Sequence, residues 1–283
     1  MVAAFSKGSI MIIDVHTHTF PDQIAERALE KLVGKTDLSI PPVMDGTVGG
    51  LLHAMHEAGV DRAVLCPIAT KPEQAKDILA EARAIRDGER GEEAARHLVP
   101  LASVHPADPK WAERLRKVAD ADIRGVKLHP YYQEFVLDAP DALAYLKKCC
   151  DLNLIVQCHC GFDIGFPHDP ICGPERVANV IHHVPGLRFI AAHLGGWKDW
   201  EASVKYLLGE DVYLDTSVLR HGVEDPHALQ LLREHAPDKL LFATDAPWMT
   251  FEDGIRFVRS AGLSAEHETA VLGGNAQRLF AVQ

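Results

Sequence analysis

The chain has 283 residues, 47% of them hydrophobic, and a formal net charge of −11 with no cluster of Lys and Arg to offset it. That balance excludes nucleic acid as the main partner, because phosphate binding needs a concentrated basic surface. A small anion held by a local metal and a few cations remains compatible with it. Six cysteines are too sparse for a disulfide scaffold in a chain this long and read as reduced thiols of a cytoplasmic protein. No apolar run reaches the roughly 18 residues of a membrane span, so no membrane partner is expected.

Met1–Ile10 lack the charged start and long apolar core of a signal peptide and read as a tail, with Met11 as a natural beginning. From residue 11 to 283 the pattern is that of one domain. Strands are expected at Ile10–Val15, Arg62–Cys66, Leu98–Val104, Ile123–Leu128, Asn153–Cys158, Leu187–Ala192, Val212–Thr216 and Leu240–Thr244. Most are near-continuous apolar runs, as parallel strands covered on both faces require. Between them, Gly50–Ala58, Glu73–Ile85, Trp111–Ala119, Ala142–Cys150, Glu175–His182 and Ala228–His235 repeat apolar residues every three or four positions, which predicts helices. Thr36–Asp45, with Pro41 and Pro42, has no period and reads as a loop over one end of the fold.

Eight strands alternating with helices make an α/β fold, and a single (β/α)₈ TIM barrel is its simplest topology. A doubly wound open sheet is disfavoured because no glycine-rich phosphate motif follows any strand. In a barrel the active site lies at the C-terminal strand ends. His16 and His18 end the first strand, and residues two apart in extended chain share a face. Neutral imidazoles so placed suit Zn²⁺ or a related ion. His159, His193 and Asp245 each follow a further strand. One buried His or Asp at a strand end is often structural, whereas this many together point to a metal centre.

Five segments carry a resemblance: Ile13-Asp-Val-His-Thr-His18, Gly125-Val-Lys-Leu-His-Pro130, Ala192-His-Leu-Gly-Gly196, Ala243-Thr-Asp-Ala-Pro-Trp248 and Gly274-Asn-Ala-Gln-Arg-Leu-Phe280. In order and strand placement the chain resembles the amidohydrolase superfamily, and within it the amidohydrolase-2 group, which includes aminocarboxymuconate-semialdehyde decarboxylase. The resemblance implies a single divalent ion, Zn²⁺ first and Mn²⁺ next, held by His16, His18, His159 and Asp245. It implies His193 as general acid/base, with Asp245 in reach of the same role. Such an ion lowers the pKa of bound water towards about 7, and an unperturbed imidazole, titrating at about 6.5, suits the proton transfer.

The expected reaction is hydrolysis of an amide, lactone or related bond in a small molecule by activated water. The alternative is metal-dependent non-oxidative decarboxylation of a small unsaturated or aromatic acid. A catalytically silent metal-binding barrel is disfavoured by the complete ligand set beside a positioned base. Lys127 and His129 share a face on the fourth strand. Lys127 reads as a cation for a substrate carboxylate, as a carboxylated bridge to a second metal, or as a paired strand lysine. His129 reads as a substrate contact or a ligand, and substrate contacts are favoured for both. Trp197 and Arg220 are further substrate-contact candidates, against packing and solvated-loop readings, and a carboxylated small molecule is the expected partner. The resembling group adds a homodimer as an assembly to look for.

Asp14, on strict alternation, shares the face of His16 and lies deeper, as a carboxylate orienting a ligand or a neighbouring strand. Cys158 and Cys160 flank His159, so alternation turns them towards the helices as buried thiols, against a zinc-thiolate reading.

Overall fold

The computed structural model describes residues 11–34, 40–166, 169–218 and 222–282. Among these residues, eight short parallel strands are arranged in two sheets, ordered β1-β2-β3 and β4-β5-β6-β7-β8. They are β1 (Ile13–Thr17), β2 (Arg62–Leu65), β3 (Leu98–Pro100), β4 (Gly125–Leu128), β5 (Ile155–Cys158), β6 (Phe189–Ala191), β7 (Tyr213–Asp215) and β8 (Leu240–Leu241). Hydrogen bonds span both seams. Val15 N donates to Phe242 O at 2.9 Å and His18 N to Ala246 O at 2.7 Å, while Ala102 N donates to Gly125 O at 3.0 Å. The result is a TIM barrel of the α/β class, as expected.

Every expected strand is present, but several are shorter. The stretch expected as Leu98–Val104 is ladder-paired only to Pro100; Leu101 N still donates to Leu65 O at 3.0 Å, and a lone bridge from Ala102 to Val126 follows. Helices form at Val48–Ala58, Ala75–Arg86, Trp111–Asp120, Pro140–Asp151, Pro174–His183 and Pro226–Glu234, close to the six expected. Others, among them Ala25–Val33, Glu92–His97 and Trp200–Leu207, lie outside those six stretches. Within Thr36–Asp45, the described part begins at Ile40, and Val43 N bonds Pro247 O at 2.7 Å beyond β8.

Alternation along each strand sorts the core into two parts. Outward residues such as Val126, Val156, Phe189, Leu214 and Phe242 meet the surrounding helices. Inward residues Ile13, Val15, Val64, Val99, Leu101, Ile155, Ile190 and Leu241 fill the lower barrel. Ala276, Leu279 and Phe280 of the last helix, Asn275–Phe280, join that inner cluster and close the end opposite the histidines.

Candidate active site

The first strand does not alternate strictly. Asp14 pairs with Ala63 and Thr17 with Leu65, so one extra residue is inserted as a bulge. Ile13 and Val15 therefore face the barrel interior, and two residues on His16 and His18 still turn inwards. This corrects the expectation that Asp14 shares the His16 face. Asp14 instead accepts the His16 amide at 2.8 Å and the Thr244 hydroxyl at 2.6 Å, tying β1 to the segment after β8. Burial pushes its carboxyl up to about 8.

His16, His18 and Asp245 converge. The Nε2 atoms of the two histidines are 3.2 Å apart, and Asp245 Oδ1 lies 3.3 Å from the first and 3.0 Å from the second. His159 and His193 converge beside them, with His193 Nε2 3.0 Å from His159 Nδ1. The rings of His16 and His193 are 5.3 Å apart, so the two pairs form one cluster. His193 and Asp245 both hold left-handed backbone, with φ of 61° and 59°. Non-glycine residues rarely adopt that conformation, which costs of order 1–3 kcal/mol and occurs preferentially at functional sites.

The partner of each ring decides which nitrogen carries a proton. His16 Nδ1 is 3.0 Å from Asp215 Oδ2, an acceptor, so Nδ1 bears the hydrogen and Nε2 is bare. His193 Nδ1 donates to Ser217 O at 2.7 Å, leaving its Nε2 bare. His159 Nε2 donates to Phe162 O at 3.0 Å, leaving its Nδ1 bare. The bare nitrogens of His159 and His193 thus face each other across 3.0 Å. Two lone pairs so close repel unless a cation or proton lies between them. The donor set, imidazole nitrogens and one carboxylate, fits a divalent ion of the Zn²⁺ or Mn²⁺ kind.

The electrostatics favour the deprotonated donors that metal binding requires. Burial, with Lys127 adding to it, brings His16 down to about 4, and burial holds His159 well below the usual imidazole range. Burial opposes ionisation of Asp245, yet His16 and His18 hold its carboxyl well below the usual carboxylate range.

Lys127 is 1% exposed and its Nζ lies 2.7 Å from His16 Nε2, so it reaches the centre of the cluster rather than its rim. His129 stacks on His159 with ring centroids 4.1 Å apart, and its Nε2 is 3.4 Å from Asp163 Oδ2. Its Nδ1 is buried without a hydrogen-bond partner. All these residues, with Trp197, line one cavity of about 1190 Å³ whose walls include Phe20, Leu52, Ile68 and Trp248. A Cβ on Gly161 would sit 2.1 Å from Trp197 N, so only glycine permits the close approach that sets the Trp197 backbone beside β5. Arg220 lies outside the described residues. Cys158 and Cys160 are buried in the outer core, facing the helices.

Sequence reasoning missed Asp215, Ser217, Gln157 and Asp163. Asp215 and Ser217 lie at the end of β7, where the strand-end rule that found His193 applies equally. Gln157 points inwards from β5 and donates to Asp215 Oδ2 at 3.2 Å. Asp163 is separated from β5 by an irregular loop and has no such signal.

The family model described as Amidohydrolase matches residues 13–282, and the chain belongs to that family, in its amidohydrolase-2 group, as an enzyme of that family. No curated protein sequence matches it. Among solved structures, it is similar to 5-carboxyvanillate decarboxylase from Sphingomonas paucimobilis, at 18% identity and a TM-score of 0.71, covering 97% of this chain and 100% of that one. It is also similar to 5-carboxyvanillate decarboxylase from Novosphingobium aromaticivorans complexed with manganese and 4-hydroxy-3-methoxy-5-nitrobenzoic acid, at 13% identity and a TM-score of 0.67, covering 98% and 97%. A third is a probable 2-pyrone-4,6-dicarboxylic acid hydrolase from Acinetobacter baumannii with citric acid bound, at 17% identity and a TM-score of 0.65, covering 96% and 99%. Among the described residues, no helix is long and apolar enough to cross a membrane.

Proposed function

We propose that the protein is a divalent-metal-dependent, non-oxidative decarboxylase of a small aromatic or unsaturated carboxylic acid. The observation that carries this reading is the convergence of bare imidazole nitrogens and an ionised Asp245 on the floor of an apolar-walled cavity. The similar decarboxylases, one of them holding manganese, favour it over the hydrolysis expected from sequence.

His16, His18, His159 and Asp245 would hold the ion. When bound, it supplies a positive centre that orients an anionic substrate and stabilises negative charge developing on it. Apolar walls disfavour a localised carboxylate relative to a transition state in which that charge is dispersing. Breaking the C–C bond releases CO₂ and leaves the electron pair on the substrate carbon, which must then take a proton. His193 would deliver that proton from Nε2, having first taken one there from solvent, because its Nδ1–H is committed to Ser217 O. Lys127, His129 and Trp197 would contact the substrate, with the Lys127 ammonium supplying a cation for a carboxylate.

A second reading, hydrolysis, is favoured by the similarity to the probable 2-pyrone-4,6-dicarboxylic acid hydrolase. There His193 Nε2 would accept the proton of the attacking water. Incubating Mn²⁺- and Zn²⁺-loaded protein with aromatic and unsaturated acids in D₂O separates the two. Decarboxylation gives one CO₂ per product, with deuterium at the vacated carbon. A product retaining every carbon and gaining the elements of water would establish hydrolysis instead.

A further inference from the structure

Asp215 is fully buried at the end of β7, and none of its contacts is to solvent. Its Oδ2 accepts from His16 Nδ1 at 3.0 Å and Gln157 Nε2 at 3.2 Å. Its Oδ1 accepts from the His193 amide at 2.9 Å, the Ser217 amide at 3.2 Å and the Ser217 hydroxyl. The Ser217 oxygen in turn lies 2.9 Å from His193 Nδ1 and 3.2 Å from His16 Nδ1. Five donors from β1, β5 and the segments after β6 and β7 therefore converge on one carboxylate. With hydrogens directed at both of its oxygens, this carboxylate serves as an acceptor on each.

We propose that Asp215, acting with Ser217, is a positioning residue shared by His16 and His193, fixing at once which nitrogen of each ring is bare. The inference rests on the reading of His16 as a metal ligand and His193 as the proton-handling group. A carboxylate or carbonyl behind a metal-binding imidazole is common, and losing it typically costs about 10–100-fold in affinity or activity. Here the same carboxylate also anchors the backbone and, through Ser217, the ring of a second histidine. Metal affinity and proton transfer are coupled through one side chain. Neither histidine alone could reveal the link, because they lie 177 residues apart in the chain.

Asp215→Asn is the sharp variant, since it keeps the shape. One amide oxygen cannot serve five donors, and its NH₂ group presents hydrogens to donors already there. Two measurements go together: the Mn²⁺ dissociation constant by chelator competition, and the ring ¹⁵N shifts of His16 and His193 in metal-free protein. The unaltered protein should show both rings protonated at Nδ1. Asp215→Asn should weaken Mn²⁺ binding by about 10–100-fold and move both rings towards mixed protonation. At saturating Mn²⁺ it should still lower kcat more than it raises KM. Ser217→Ala removes one hydroxyl with little risk to folding; because the Ser217 carbonyl still takes the His193 Nδ1–H, it should leave that ring protonated at Nδ1 and move only its Nδ1 shift, by loss of the second acceptor, with Mn²⁺ affinity little changed.

A shift confined to His16, or none, would overturn the shared role. So would a kcat restored in full by added Mn²⁺. If the unaltered protein bound no Mn²⁺ or Zn²⁺, the metal-centre reading would fail, and the relay would be judged on the ring shifts alone. Should Asp215→Asn not fold, the Ser217→Ala ring shift decides.

Discussion

The lower and upper halves of the barrel interior are built from the same strands and could hardly differ more. Below, Ile13, Val64, Val99, Ile155 and Leu241 pack against Phe280 with no polar group among them. Above, His16, Lys127, Gln157, His159, His193, Asp215 and Asp245 fill the same cross-section with donors, acceptors and charges, almost all buried. Along β5 the change takes one step inwards: Ile155 is apolar packing, Gln157 braces Asp215, and His159 faces His193. Apolar burial below stabilises without direction. Polar burial above is tolerable only because nearly every group has a partner. Among the described residues, His129 Nδ1 and Gln157 Oε1 of the upper half are buried without a hydrogen-bond partner.

That division can be broken from either side. The largest effect is expected at the top. Asp245→Ala removes the carboxylate shared by His16 and His18 and should abolish turnover while lowering metal affinity by more than the ~100-fold associated with an outer partner. Elemental analysis per chain checks it, and full metal occupancy in that variant would remove Asp245 from the ligand set. Next, His193→Gln should lower kcat by about 10²–10⁴-fold, the usual worth of a positioned acid/base group, with metal retained. Unchanged turnover would end its proton-handling role.

At the bottom the signature should invert. Phe280→Ala should cost about 3–5 kcal/mol of stability by leaving a cavity in the inner core, read as a lower denaturation midpoint, while kcat per folded molecule stays near that of the unaltered protein. A matching loss of kcat would mean the halves are not independent. The smallest effect concerns the thiols. Burial pushes Cys66, in the barrel interior, up to about 12, and Cys150 alone of the six is not fully buried. Alkylation of the native protein at pH 8 should therefore mark Cys150 first, and early labelling of Cys66 would show that the interior opens.

The fold was largely legible because parallel strands buried on both faces must be apolar, and the intervening helices must show a period near 3.6. The helix Ala25–Val33 has an amphipathic period that is legible in the sequence, yet between the first strand and the next helix the sequence reading covers only the loop Thr36–Asp45. Most of the candidate site was legible for a similar reason: a polar residue ending an apolar run is conspicuous, and His16, His18, His159, His193 and Asp245 are all of that kind. The bulge in β1 was not legible. A one-residue insertion is a matter of pairing with β2, and it inverted the facing of Asp14.

By itself, then, the sequence determined the succession of strands and helices, the end of the barrel that carries chemistry, and the residue types gathered there, because periodicity and strand-end polarity are local properties. Only the tertiary structure decided which nitrogens are bare, that Lys127 lies against His16, and that one carboxylate from β7 braces histidines from β1 and β6. Those facts depend on distances between residues far apart in the chain, and no local pattern encodes a distance until the barrel has closed.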